Sequence, residues 1–361
     1  MASSNSAAPQ ALQETQPKIV LIIGASGVIG KRLVQALSND GKYTVVAGLR
    51  KTPLPQSLLE SGNVVCEMGI DLRNTESIEK LIEKYSQNIY AIWNLAAPLS
   101  VESENDPSVA EDTTVGGMSR LINAMIKYNV SESTRILFSD SIGSFGSEAP
   151  RNEATAKWLI ENPVQDPGSE YGRQKRKCRE MLQSSKYDTR WGIIPGVLHD
   201  DPTWGDGTTE YALGAIKAFH DAYQREGVPS YDCPVHDSSM LPMIHISDLV
   251  SGLVALMETH KSMLTEPTSG YSFAGFSFTP IELFDSLTLH FESKNENKKV
   301  EMNITYSPTA AALFAELWPN SISGKEALRD LGWKPTAVVC LNDAIIRILS
   351  SHDLNDSGNS D

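Results

Sequence analysis

Tyr171 and Lys175 stand four positions apart in Tyr171-Gly172-Arg173-Gln174-Lys175. On a helix that spacing stacks both side chains on one face. A phenol ordinarily ionises near pH ~10, and a neighbouring ammonium favours the phenolate. The pair is therefore a candidate proton acceptor at neutral pH. Tyr and Lys at this spacing are also common on helix surfaces, so the pair needs support. It comes from upstream, where the apolar run ending at Phe138 enters Ser139-Asp140-Ser141-Ile142-Gly143. Ser141 is the hydroxyl expected beside a substrate oxygen, the alternative being a serine that caps a turn. The expected catalytic set is Ser141, Tyr171 and Lys175.

A second motif lies near the start of the chain, in Gly24-Ala25-Ser26-Gly27-Val28-Ile29-Gly30. A branched apolar run, Ile19 to Ile23, precedes it, and a helical pattern with Leu33, Val34 and Leu37 follows. Glycines between a strand and a helix let the backbone approach a pyrophosphate, which the free amides at the helix start then bind. Gly24, Ser26, Gly27, Val28, Ile29 and Gly30 are thus expected to bind a dinucleotide. About twenty residues further on, an acid would accept from the adenosine ribose of NAD. This chain has Gly48-Leu49-Arg50-Lys51 there. Arg50 suits a 2′-phosphate, which favours NADP and leaves NAD open. Asp71, followed by Leu72, is placed to touch the adenine.

These residues need a scaffold. Apolar runs at 19–23, 43–47, 89–93 and 135–138 alternate with helical patterns at 75–85 and 108–127. That alternation predicts an α/β fold with a doubly wound parallel sheet of Rossmann type. After Ile194-Pro195-Gly196 it weakens, and a smaller interleaved C-terminal substrate domain is expected. The expected division is a disordered leader over 1–17, a dinucleotide-binding domain over 18–197, and a substrate domain over 198–349. Segments near 241–263 are expected to return to the sheet. The polar residues 350–361 are expected to form a disordered tail.

Composition narrows the function. A formal net charge of −14 over 361 residues disfavours nucleic acid and anionic membranes as partners. No apolar run is long enough for a transmembrane helix. Cys66, Cys178, Cys233 and Cys340 are too scattered for a metal clip, so no metal is expected. Free thiols and the lack of a targeting pattern point to the cytoplasm. The expected partner is a small-molecule substrate, with room for a homodimer.

Taken together, these motifs resemble the extended short-chain dehydrogenase/reductase superfamily. Asn94-Leu95-Ala96-Ala97 looks like its cofactor-lining segment, and Leu241 to Asp248 like its late strand-to-helix signature. Farther along, Gly205 to Ala212, Cys233-Pro234-Val235, Phe276 to Pro280, Leu317 to Ser321 and Gly332 to Pro335 are similar to the short-chain type L-threonine 3-dehydrogenases. The resemblance covers roughly Lys18 to Lys334. It implies a hydride transfer between NAD(P) and the C3 hydroxyl of L-threonine or a related β-hydroxy-α-amino acid. Tyr171 is then the base, and Lys175 its electrostatic partner and a ligand of the nicotinamide ribose. Leu95, Ala96 and Ala97 line the cofactor, and Pro195, Val197 and Leu198 are counted with them. Ser100, Ser141, Thr208, Thr209 and Trp318 face the substrate. The chain departs from the pattern at Gly48, where the family has an acid, and at Thr114, where it has Asn.

Other readings stay open at this point. One is NADPH-dependent reduction of a related ketone by the same groups. Another is a nucleotide-sugar epimerase or dehydratase, disfavoured because Lys217 and Arg225 are the only cations between Pro202 and Pro242. A non-catalytic NADP-binding protein would be marked by a broken Tyr-Lys pair, and the pair is intact.

Overall fold

The computed structural model describes residues 18–358, apart from 61, 163–165, 202–208, 266–268 and 295–298. The expected leader, Thr208 and the end of the tail lie outside the described residues. The first half reads β1 (Lys18–Ile23), α1 (Val28–Asn39), β2 (Tyr43–Leu49), α2 (Gln56–Leu59), β3 (Val64–Met68), α3 (Thr75–Tyr85) and β4 (Ile89–Asn94). Then come α4 (Ser100–Asn105), α5 (Pro107–Glu111), a π-helical turn at Asp112–Gly116, α6 (Gly117–Lys127) and β5 (Arg135–Ser141). A 3-10 turn at Ile142–Ser144 leads to α7 (Ala156–Glu161), α8 (Glu170–Gln183), β6 (Asp188–Ile194) and β7 (Gly196–Leu198).

β1 is apolar on both faces because it lies inside the sheet. Val20 and Ile22 pack with Leu33 and Leu37 of α1 on one side. Leu21 and Ile23 pack with Ile78 of α3 and Leu121 of α6 on the other. β1 pairs in parallel with both β2 and β4. The strand order reverses there, since β2 and β3 continue to one side and β4, β5 and β6 to the other. Crossover helices diverge at such a point and open a crevice at the carboxyl ends of the strands. The glycine loop after β1 and the Asn94–Ala97 segment after β4 both border it.

The second half contributes α9 (Tyr211–Gln224), β8 (Ser230–Cys233), β9 (Leu241–His245), α10 (Ile246–Glu258), β10 (Gly270–Ser272) and β11 (Phe276–Phe278). It ends with α11 (Pro280–Lys294), β12 (Asn303–Tyr306), α12 (Ala310–Leu317), α13 (Lys325–Leu331) and α14 (Leu341–Gly358). Interleaving is present, but not as the sequence suggested. β9 stays out of the large sheet and is the middle strand of a three-stranded one, between β11 and β7. The strand that does return is β10, paired with β6 at the edge. α10 covers the α1 face, with Leu253 and Leu256 in that core.

Two further expectations are corrected. The helix foreseen over 108–127 is broken by the π-helical turn, where the Thr113 hydroxyl donates to the Val109 carbonyl at 2.7 Å. Helical backbone runs through Gly358, well into the expected disordered tail. His352 is buried there, since α14 packs on α9 and α11. Among the described residues no helix is long and apolar enough to cross a membrane.

Candidate active site

The crevice holds two adjoining cavities, of about 520 and 410 Å³, which share Gly24, Gly27, Leu95, Ala97 and Pro98. Glycine makes the shared wall. Gly24 has φ 87°, and a Cβ there would sit 2.8 Å from the Ala96 nitrogen. At Gly30 a Cβ would come within 2.3 Å of the Gly24 carbonyl oxygen, so only glycine lets α1 start so close to the loop. At Gly27 it would meet only the Gly24 oxygen, at 3.4 Å, and the space beyond is the crevice. No side chain caps α1. Its first amides and positive end are left to an anion. This cradle fits the pyrophosphate of a dinucleotide.

The first cavity takes in Ser26, Arg50, Asp71, Leu72 and Ala96 with the glycines. Arg50 is exposed and makes no ion pair among the described residues. Gly48 lies beside it, in the place where an acid would stand. The Asp71 carboxylate is already engaged, accepting from the Arg73 amide at 2.9 Å and pairing with its guanidinium at 3.2 Å. Partial burial pushes that carboxyl up, but the Arg73 hydrogen bonds and the Arg73 and Arg50 charges outweigh it and hold it below its ordinary value. Arg73 is not singled out by any sequence motif; its place on this cavity comes from the fold.

The second cavity brings together Ser141, Tyr171 and Lys175 with Val28, Ile29 and Gly30 at the start of α1. Ser100, Pro195, Val197, Thr209 and Trp318 line it too. Leu198 does not: it is fully buried in β7, because alternate residues of a strand face opposite ways. Trp318 is buried, and its indole nitrogen has no hydrogen-bond partner among the described residues.

Two glycines set how closely Tyr171 approaches the turn after β5. α8 begins at the N-cap Ser169, whose hydroxyl accepts from the Gly172 amide at 3.1 Å. A Cβ on Gly172 would meet the Gly143 carbonyl oxygen at 2.1 Å. One on Gly143 would lie 3.0 Å from the Tyr171 ring. The helix can therefore press onto the turn after β5. Ser141 Oγ accepts from the Gly143 amide at 3.1 Å, so the serine caps its turn and lines the cavity at once. Lys175 is buried, with its Nζ 5.4 Å from the centre of the Tyr171 ring.

Behind these groups lies a buried ion pair that sequence reasoning passed over. Arg179 donates to Asp140 at 2.6 Å, and Asp140 also accepts from the Ser141 amide at 2.8 Å. Arg179 follows Lys175 by four residues, so the helix face carrying Tyr171 and Lys175 could have pointed to it. Glu104 of α4 accepts from the Glu170 amide at 2.7 Å, closing the start of α8. No sequence spacing signals that contact.

A family model described as the NAD dependent epimerase/dehydratase family matches residues 20–267. The chain belongs to that family. Members of the family use a nicotinamide dinucleotide, and the glycine cradle after β1 is where such a cofactor fits. The chain is 26% identical over 330 residues to a Bos taurus protein named L-threonine 3-dehydrogenase, mitochondrial, covering 89% of this chain and 79% of that one. It is also similar to a solved monomeric L-threonine 3-dehydrogenase from a metagenome, with TM-score 0.76 and 26% identity, covering 93% and 99% of the two chains. The Trypanosoma brucei L-threonine 3-dehydrogenase structure gives TM-score 0.76 at 25% identity, covering 94% and 99%.

Proposed function

We propose that this protein oxidises the C3 hydroxyl of L-threonine, or of a closely related β-hydroxy-α-amino acid, to a 2-amino-3-keto acid. The observation that carries the proposal is the meeting of Ser141, Tyr171 and Lys175 in one cavity with the first turn of α1. A bound nicotinamide dinucleotide would supply the hydride acceptor. Tyr171 takes the hydroxyl proton. Lys175, fixed by the sheet behind it, holds its ammonium 5.4 Å from the centre of the Tyr171 ring. Ser141 holds the reacting oxygen, and Ser100, Thr209 and Trp318 surround the amino acid. Ketone reduction is the same path reversed.

Arg50 and Gly48 favour NADP over NAD in this reading. Its place of work is the cytoplasm, in keeping with four free cysteines. A homodimer is the assembly to look for by sedimentation. The test of the activity is incubation of the pure protein with a panel of β-hydroxy amino acids and each cofactor, following reduced nicotinamide. Reduction with L-threonine or a close analogue is expected. No reduction with any member of the panel refutes the assignment.

A further inference from the structure

The loop after β7 carries a histidine that the glycine motif does not announce. His199 is buried, yet it lines the catalytic cavity together with Gly27, Val28, Ile29 and Gly30. Its loop is clasped to α1 by two ion pairs. Lys31 reaches Asp201 at 2.6 Å, and Arg32 pairs with Asp200. These contacts set the imidazole beside the helix start. They also engage both cations of α1, Lys31 and Arg32, with carboxylates.

The tautomer follows from one hydrogen bond. His199 Nδ1 accepts from the Asp201 amide at 3.4 Å, so in the neutral ring Nε2 carries the hydrogen. Burial, the largest influence, keeps the ring from charging, and the nearby Arg32 and Lys31 act in the same direction against Asp201 and Asp200. A neutral N–H donor thus lies on the wall where the uncapped amides of α1 await an anion.

We infer that His199 is a cofactor-binding residue of this site, donating through Nε2 to the pyrophosphate of a dinucleotide seated on the first turn of α1. This rests on the dinucleotide reading above and adds a side-chain ligand to a cradle otherwise made of backbone. A donor to a charged acceptor is worth roughly tenfold in affinity.

The experiment is ligand binding by calorimetry with His199→Leu, which fills the space without a donor, and His199→Gln, which keeps one. Full-length protein is used, with the melting temperature of each unliganded variant as a check on folding. The ligands are NAD, NADP, ADP-ribose, 2′-phospho-ADP-ribose, AMP and 2′,5′-ADP. His199→Leu is expected to weaken the four pyrophosphate ligands by about tenfold. It leaves the two monophosphate-ended ligands unchanged, and His199→Gln restores most of the loss. In wild type, ADP-ribose or its 2′-phosphorylated form is expected to shift the His199 Nε2 proton resonance, a readout that needs no folded variant. Unchanged affinities and an unmoved resonance would overturn the inference. So would an equal loss for AMP and 2′,5′-ADP, or a loss confined to NAD and NADP, which would place the ring at the nicotinamide. A wild-type protein that binds none of the dinucleotides would instead overturn the cofactor reading itself.

Discussion

Lys175 Nζ donates to the main-chain carbonyl of Ser139 at 2.7 Å. That bond ties α8 to β5 two residues before Ser141, so the ammonium is fixed before any ligand arrives. It also keeps a buried cation hydrogen-bonded, which burial requires. Removing the amine should therefore damage both chemistry and position. Lys175→Met is expected to lower kcat by about a hundredfold or more and to weaken dinucleotide binding as well. Steady-state kinetics together with calorimetry check this. Loss of kcat with unchanged cofactor affinity would remove Lys175 from the ribose contact.

Gly27 faces the crevice, and a side chain there would meet only the Gly24 oxygen within the protein. Gly27→Val should fold normally and bind NAD and NADP much more weakly, because the isopropyl group stands where the pyrophosphate must lie. Thermal unfolding and a binding titration on the same sample separate the two effects. A normal melting temperature with normal affinity contradicts the role given to the loop.

Much of this site could be read from the chain. The β1 run, the glycine loop and the Tyr-Lys spacing are local signals, each carried by a few adjacent residues whose physics does not depend on distant partners. Two kinds of feature were not legible. β10 has only Gly270, Tyr271 and Ser272, too few residues to show a period, and its pairing with β6 is a tertiary fact. His199 and the Asp140–Arg179 pair gain their meaning only from what folding places beside them. Leu198 went wrong for a local reason, since one residue along a strand is the opposite face.

Arg50 and Gly48 suggest how the cofactors are told apart. Gly48 rather than an acid stands near the end of β2, Arg50 makes no ion pair among the described residues, and in the proposed reading it holds the 2′-phosphate. Charge-assisted bonds of this kind contribute about 1.5–3 kcal/mol, which corresponds to at least a tenfold preference for NADP. Arg50→Ala should narrow the ratio of kcat/KM for NADP over NAD towards unity, mainly by raising KM for NADP. A wild-type preference for NAD would contradict this reading of the strand end.

Burial pulls the imidazole of His245 down to about 4 from its ordinary 6.5, with Arg347 and Arg32 acting the same way and Asp200 and Asp248 opposing. The folded state therefore resists a proton that the unfolded chain accepts. Stability held above 6.5 is lost as the pH falls from there through about 4, and the shift corresponds to roughly 3 kcal/mol. His245 Nδ1 also accepts from the Ser247 amide at the start of α10, a role asparagine can fill. His245→Asn should flatten the acid limb of the stability profile, measured by urea unfolding at several pH values. Parallel profiles for the two proteins would rule this out.

Tyr171→Phe removes one oxygen and leaves the ring packed against Gly143. The measurement is kcat with the best β-hydroxy amino acid, set beside the dissociation constant for the dinucleotide. A general base contributes about 10²–10⁴-fold, so turnover should fall below a few per cent of wild type while cofactor affinity stays the same. Turnover retained above that level would contradict the assignment of Tyr171 as the base, and with it the proposed chemistry of the site.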